Sequence, residues 1–377
     1  MKQAQVEVTF NWIYILIAGT VILLFFIGIA VKQKSSSEQQ LSGDIVRTLQ
    51  SIFTAASVSE KTKNTIDISG LQDYTFYFRC QEGTGEYGIV EYQQTKQDPI
   101  QPMFSPAEIK GSQLNLWSLP YKLPFKVIDF LFITSENTQY FLVGSDPFID
   151  EFLNETQRDE GTSFYVNADQ IQHLDEAQAE NNFQVRIVDF TGVLIRENLP
   201  VPPSMKEMED EKVTAVSFNT PFSVEYYQKQ GSSWKKTSRN PVKIISMGGQ
   251  RDAAKYAAIF AADQEMYECN MEKAFRRLKI LNEIYGGPEI QNGEIGGKLR
   301  EMVQYYEARP FISLRQPDCK GHINEYPQQN VAYTLSSHQN TVSACVLQFS
   351  ACSDLIQTAQ QLHNINSQLN VDCLTLY

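Results

Sequence analysis

One stretch near the start of the chain is apolar on every side. It runs from Trp12 to Val31, 20 residues without a charge or a proline. As a helix it is about 30 Å long, which matches the hydrocarbon core of a bilayer. Trp12 and Tyr14 stand at one end, and Lys32 and Lys34 at the other, as interface residues do. Two other interpretations fit this run less well. A buried core helix of a soluble protein usually keeps a polar stripe, which is missing here, and the apolar region of a cleaved signal peptide is shorter. The pattern predicts one uncleaved transmembrane anchor in residues 1–34 that crosses the membrane once.

Residues 35–60 change from polar to amphipathic. A Ser/Gln-rich start gives way to apolar positions on one helical face, at Ile45, Leu49, Ile52, Phe53 and Ala56. Two interpretations remain open: a long stalk helix that continues from the membrane to about residue 58, or a linker before a separate packing helix. Gly43 favours a break, because glycine inside a helix costs about 1 kcal/mol.

Residues 61–138 show the alternation typical of strands. The strand-like runs are Tyr74–Arg79, Gly88–Tyr92 and Val127–Thr134, bounded by Gly, Pro, Asn and Asp clusters. Prolines recur between residues 99 and 124, which predicts a long irregular connection on the surface.

Residues 139–335 alternate between strand and helix patterns. Strands are predicted at Tyr140–Val143, Ser163–Val166, Phe183–Phe190, Val213–Phe218 and Val242–Met247, with a hairpin of Phe222–Tyr227 and Trp234–Thr237. Helices are predicted at Pro147–Leu153, Asp169–Ala177, Lys298–Glu307 and, as one long helix, at 252–285, where Gly286-Gly287-Pro288 stops it. This alternation indicates an α/β (mixed α+β) head with a partly parallel sheet and long C-terminal helices, preceded by one transmembrane helix.

Residues 336–377 carry a helical seam with two cysteines. Its apolar positions are Val342, Cys345, Phe349, Cys352, Ile356 and Ala359. On one helix Cys345 and Cys352 lie about 10 Å apart, beyond the roughly 7 Å that a disulfide allows, so we expect them not to pair. We expect Cys269 and Cys319 to bond the seam cysteines. Cys373 would then secure the C-terminus, and Cys80 would be the odd one out.

The cysteines also bear on the compartment. The chain has 6 cysteines in no CxxC motif, and its 4 histidines do not show zinc-site spacing. An even count favours disulfides and therefore an extracytoplasmic head, while six unrelated buried thiols are the alternative. The count of basic residues favours the opposite orientation, with the head in the cytoplasm. One lysine, Lys2, precedes the apolar run, and three basic residues follow it: Lys32, Lys34 and Arg47. Because long domains translocate with little regard to local charge, we predict a single-pass protein of the cell membrane with an extracytoplasmic C-terminal head.

Composition narrows the functional class. With 32 basic and 44 acidic residues the net charge is −12, which argues against nucleic acid as a partner. The 22 phenylalanines and 18 tyrosines supply a large core. The sequence carries no catalytic fingerprint and no cofactor or metal motif, so a structural or interaction role is favoured over an enzyme.

Two turns could hold an anion or another ligand. Gly248 and Gly249 lie between a predicted strand and a helix, with Arg251 adding charge, although a tight βα turn is the simpler interpretation. Asp189 ends the clearest strand, where α/β sheets place ligands, although a capping turn is simpler. Asn154 begins a glycosylation sequon, which matters only if the head is outside.

The first residues read Met1-Lys2-Gln3-Ala4-Gln5-Val6-Glu7, with a single carboxylate just before the apolar helix. A cut after Lys2 would make Glu7 the fifth residue. This segment resembles the N-terminus of type IV pilins and archaeal pilin-like proteins, over about the first 60 residues. The resemblance implies that a peptidase removes the basic leader, that Glu7 helps subunits register in a filament, and that the chain self-associates through its N-terminal helix. Alternatively, Glu7 is an ordinary partner of the helix dipole.

Together these features predict a membrane-anchored extracytoplasmic protein with a structural or interaction role, as a pilin-like subunit, adhesin or cell-envelope component. It contacts the bilayer through residues 12–31. The alternative is a membrane-tethered enzyme or ligand-binding receptor with its site at the C-terminal strand ends, near Asp189 and Gly248.

Overall fold

The structure is a computed structural model of the 377-residue chain. It describes residues 42–56, 62–92, 94–158, 163–197, 199–309, 317–328, 330–369 and 373–377. Within these ranges no helix combines the length and the apolar character needed to cross a membrane. The predicted span Trp12–Val31, the leader and Glu7 lie outside the described residues.

Most of the strands belong to residues 63–143 or 184–236. They are β1 (Lys63–Asp67), β2 (Phe76–Gln81), β3 (Thr84–Ile89), β4 (Gln94–Asp98), β5 (Met103–Phe104), β6 (Glu108–Ile109), β7 (Gln113–Lys122), β8 (Lys126–Ser135), β9 (Thr138–Val143), β10 (Asn167–Ile171), β11 (Gln184–Asp189), β12 (Val213–Thr220), β13 (Ser223–Gln230), β14 (Ser233–Lys236) and β15 (Val242–Lys243).

Helices dominate the last third of the chain. They are α1 (42–56), α2 (Pro147–Thr156), α3 (Val193–Arg196), α4 (Ala253–Phe260), α5 (Gln264–Gly286), α6 (Gly297–Glu307), α7 (Pro317–Lys320), α8 (Val331–Leu347) and α9 (Leu355–Leu369).

The described strands form three sheets. The first has the order β1-β7-β8-β5, the second β4-β3-β2-β6, and the third β10-β9-β11-β12-β13-β14 with β15 beside β13. In the third sheet β10, β9, β11 and β12 are parallel, and β13 and β14 are antiparallel to their neighbours. The prediction of a mixed α+β fold with a partly parallel sheet and C-terminal helices is confirmed.

The third sheet is covered on both faces, as the parallel part of a sheet requires. Alternate residues of β9, β11 and β12 enter the main core, among them Tyr140, Leu142, Val188 and Val216. Their neighbours enter a second core on the other face, among them Phe141, Val143, Val185 and Ile187. Near-continuous apolar runs such as Phe183–Phe190 follow from this two-sided burial.

The amphipathic helix predicted from Ile45 to Ala56 is confirmed as α1. Its buried face carries Leu49 and Phe53, and the Phe53 ring lies 5.2 Å from the Tyr87 ring on β3. The helix therefore packs on the second sheet.

The connection predicted between residues 99 and 124 is wrong in its second half, which forms β7. Pro120 on β7 lies opposite Asp129 on β8. On the other side of β7, β1 pairs only with Gln113–Trp117, so no second strand needs an N–H from residue 120. A proline is tolerated there, and the leucines, Trp117 and Tyr121 supply the buried positions.

Other predicted bounds shift or fail. The helix predicted at Asp169–Ala177 is wrong, because β10 lies there, and the strand predicted at Ser163–Val166 begins instead at Asn167. As an outer strand paired only with β9, β10 is half exposed and shows no apolar alternation. The strand predicted at Gly88–Tyr92 occupies Thr84–Ile89, and that predicted at Val242–Met247 is reduced to β15.

The long helix predicted over 252–285 is two helices, α4 and α5. Ala261 has extended backbone angles, and Asp263 caps α5 by accepting a hydrogen bond from Met266 N at 2.8 Å. The predicted end at Gly286 is confirmed, with Gly287 at φ +93°.

All six cysteines lie in the described ranges, and all are paired. The predicted disulfide bonding is confirmed, but the expected partners are wrong. The bonds join Cys80 to Cys269, Cys319 to Cys373, and Cys345 to Cys352. Cys80 is not unpaired, and neither Cys269 nor Cys319 bonds the seam.

The pair that helical spacing excluded forms because the helix is interrupted. α8 ends at Leu347, Gln348 is extended, and a 3-10 helix covers Phe349–Asp354 before α9 begins. This turn brings the Cα atoms of Cys345 and Cys352 to 4.7 Å.

Candidate functional site

Asp189 lies at the carboxyl end of β11 and is fully buried. Its Oδ1 accepts hydrogen bonds from Thr191 N, Thr191 Oγ1 and Gly192 N at 2.6–3.1 Å. Its Oδ2 accepts from Leu194 N at 3.0 Å and from Ser217 Oγ at 2.6 Å. The carboxylate thus caps the turn that leads into α3, and this chain supplies its donors.

Gly248 and Gly249 have φ values of +77° and +110°, and a Cβ at either position would meet no atom within 4 Å. Arg251, also at positive φ, lies beside two acids of α2. Its Nε donates to Glu155 Oε1 at 2.6 Å, and its N–H donates to Glu151 Oε1 at 3.0 Å. The positive charge expected to attract an anion is therefore already paired with the Glu155 carboxylate.

The sequon lies within α2. The Asn154 side chain is exposed, whereas the Thr156 hydroxyl is buried and donates to Phe152 O at 2.6 Å.

A pocket lies elsewhere, at the amino ends of the parallel strands. Its volume is about 500 Å³, within the range of small-molecule sites. Four of its lining residues are direct neighbours across the third sheet: Tyr140 on β9, Arg186 on β11, Thr214 on β12 and Gln228 on β13. These four residues form one row of the pocket floor.

Three other segments enclose that floor. They are the segment around β6 of the second sheet (106–108 and 110), the α4–α5 junction at 259–263, and residues 209, 211 and 212 of the loop before β12. A cleft between a sheet and its neighbouring layers is a common position for a ligand site.

Arg186 is the charged group on the floor, with a relative exposure of 5%. Its Nε, Nη1 and Nη2 donate to the carbonyls of Ile259, Ala262 and Ala261 at 3.1, 3.2 and 2.6 Å. The guanidinium also lies over the Tyr226 ring, 5.4 Å from its centre. These contacts hold the group at the carboxyl end of α4, where the helix dipole favours a cation.

A guanidinium carries five N–H donors, and three of those of Arg186 are used in these bonds. Among the described residues no carboxylate forms a salt bridge with it; Asp263 at the pocket edge attracts it from a longer distance. Burial lowers the pKa of the Arg186 guanidinium, and the charges of nearby groups oppose that change. A buried cation without a carboxylate is costly unless other charges or dipoles compensate it.

The rest of the pocket is polar and of mixed charge. Gln184 Oε1 is buried and has no hydrogen-bond partner in the described part of the chain. The exposed edge carries Lys110 and Lys212 as cations and four acids, Glu108, Glu209, Glu211 and Asp263. Acids therefore outnumber cations at the mouth, while the floor carries a cation.

Sequence reasoning missed this pocket, although one signal was present. Arg186 is the single charged side chain in the middle of the apolar run Phe183–Val188. A charge in a strand buried on both faces needs a specific partner, and the position of that partner depends on the α4–α5 junction.

The described residues contain no cluster of three or more His, Cys, Asp or Glu side chains placed to hold a metal ion. Comparisons with family models, curated proteins and solved structures found no match to the chain.

Proposed function

We propose that the chain is a membrane-anchored protein whose folded head lies outside the cytoplasm and acts by binding a partner. The observation that carries this proposal is the pairing of all six cysteines in three disulfides. Such bonds persist in oxidising compartments and are rare in the cytosol. The apolar run Trp12–Val31 supplies the anchor.

The disulfides support a binding role because they make the head rigid. Cys80–Cys269 links the second sheet to α5, and Cys319–Cys373 holds the C-terminal segment. A rigid scaffold loses little conformational entropy when it binds, which suits an interaction protein at a surface.

The test labels cells that express the full chain with a membrane-impermeant amine reagent. Lys110 and Lys235 are exposed on the head, and we expect both to be labelled on intact cells. A cytoplasmic protein of the same cells is the control and should stay unlabelled until lysis. Labelling of both lysines only after lysis would reject the proposed topology.

A second candidate is a ligand-binding receptor, favoured by the 500 Å³ pocket at Arg186. This pocket lies at the amino ends of the strands, not at the carboxyl ends near Asp189 where the sequence suggested a site.

A further inference from the structure

We propose that the pocket at Arg186 binds a small zwitterionic ligand of the amino acid or short peptide class. The ligand carboxylate would lie against Arg186 on the floor, and its ammonium group would lie at the acidic mouth. This inference rests on the proposed binding role, and it does not depend on the proposed topology.

The carboxylate end follows from the donors of Arg186. The three carbonyls that fix the guanidinium leave one N–H on Nη1 and one on Nη2. Guanidinium N–H groups form strong charge-assisted hydrogen bonds with carboxylate oxygens. Because the three carbonyls fix the side chain beforehand, the ligand would not have to order it.

The ammonium end follows from the edge of the pocket. Glu209 forms a 3.0 Å ion pair with Lys212, and these opposite charges largely cancel. The remaining charges at the exposed edge are one cation and three acids: Lys110, Glu108, Glu211 and Asp263. A simple anion would be repelled by these acids, whereas a ligand with a positive group at its outer end would not.

The polar groups between the two ends suit the same ligand. Gln184 Oε1 needs a hydrogen-bond donor, which an ammonium or a peptide N–H can supply. The polar side chains of Thr214 and Gln228 continue the row beside Arg186.

The test uses the full-length chain in detergent micelles. The probes are the standard L-amino acids and their X-Gly dipeptides, followed for each binder by its C-amidated and N-acetylated forms. Binding is measured by calorimetry and by the thermal midpoint of unfolding. We expect at least one zwitterion to bind, with at least tenfold weaker binding after amidation, because the charged hydrogen bonds to Arg186 are lost.

Two variants locate the ligand. Arg186→Lys keeps the charge but removes the planar fork, and we expect it to weaken binding about tenfold. Glu211→Gln changes only an exposed edge residue, and we expect a threefold to fivefold weakening for the ammonium form, removed by N-acetylation. Glu207→Gln is the matched control, because Glu207 is exposed on the same loop and does not line the pocket.

Three results would overturn the proposal. They are no binding by any zwitterion, equal binding of the acid and the amide, or equal loss in the Glu207→Gln and Glu211→Gln variants. If Arg186→Lys does not fold, two measurements still test the proposal. They are the comparison of the free acid with its amide in the wild-type protein, and the binding to the Glu211→Gln variant. If no zwitterion binds but Lys110 and Lys235 are labelled on intact cells, the proposed ligand is rejected and the proposed topology stands.

Discussion

Cys80 on β2 and Cys269 on α5 are bonded although 189 positions separate them. Their Cα atoms are 5.7 Å apart, so α5 lies directly against the second sheet. The bond closes a loop that contains β3 to β15, and so the whole third sheet and every strand of the first sheet except β1. It therefore constrains the unfolded chain more than either of the other two bonds.

We expect disulfide removal to destabilise the head in the order of loop length. In the loop-entropy model the pair Cys80–Cys269 contributes about 5 kcal/mol, Cys319–Cys373 about 4 kcal/mol and Cys345–Cys352 about 2 kcal/mol. Each pair is replaced by alanines in the full chain, and the free energy of unfolding is measured in urea. A larger loss for the Cys345/Cys352 double variant than for the Cys80/Cys269 double variant would contradict the model.

Asp189→Asn should lower the free energy of unfolding by about 2–4 kcal/mol, because an amide cannot accept all five hydrogen bonds. Binding at the Arg186 pocket should be unchanged, since Asp189 faces the opposite side of the third sheet. Asp175→Asn, at an exposed position, is the control and should have little effect. An Asp189→Asn protein of unchanged stability would contradict the capping role of the carboxylate.

His338 should make the head less stable in mild acid. It is buried on α8 with Nδ1 3.0 Å from Thr358 Oγ1, and burial lowers its pKa to about 4. Above about pH 7 the imidazole is neutral in both states and its contribution is complete. As the pH falls from 6.5 towards 4, only the unfolded chain takes up the proton, so stability falls by up to about 3 kcal/mol.

The measurement is the free energy of unfolding between pH 4 and 8 for the wild type and His338→Gln. We expect the variant to lose this part of the pH dependence, while buried acids such as Asp252 titrate equally in both proteins. His363→Gln, at an exposed position on α9, should keep the wild-type slope. Identical slopes for the wild type and His338→Gln would contradict the assignment.

Gly287→Ala should destabilise the junction of α5 and α6 by about 3 kcal/mol. Gly287 has φ +93° and ψ 160°, a region that essentially only glycine adopts, and a Cβ there would lie 2.6 Å from Gly296 Cα. Gly70→Ala is the control, because its Cβ would meet nothing within 4 Å. Chemical unfolding of both variants checks the difference; equal stability would contradict the close approach.

Local signals in the sequence predicted much of the fold. Asp146 followed by Pro147 predicts the start of α2, and the Asp146 carboxylate caps that helix at Phe148 N. Gly286-Gly287 marks the end of α5, and the apolar run at Phe183 marks β11. These signals are reliable because each acts within a few residues.

The failures share a different cause, which is contact between distant segments. The apolar seam from Val342 to Ala359 keeps its helical spacing across the break at Gln348. No glycine or proline lies at the break, so the sequence gives no local sign of it. Similarly, Arg186 donates hydrogen bonds to the backbone carbonyls at the junction of α4 and α5, although it lies more than 70 residues earlier in the chain. The same contact builds the candidate pocket, so its position did not follow from local patterns.

The bond between Cys319 and Cys373 encloses the bond between Cys345 and Cys352. A chain exported N-terminus first would present Cys345 to Cys319 before Cys373 emerges. Oxidation in order of arrival would then trap two wrong pairs. In such a chain, correct maturation requires either that the Cys345–Cys352 turn closes first or that a disulfide isomerase reshuffles the thiols. In the second case the yield of native protein depends on that enzyme.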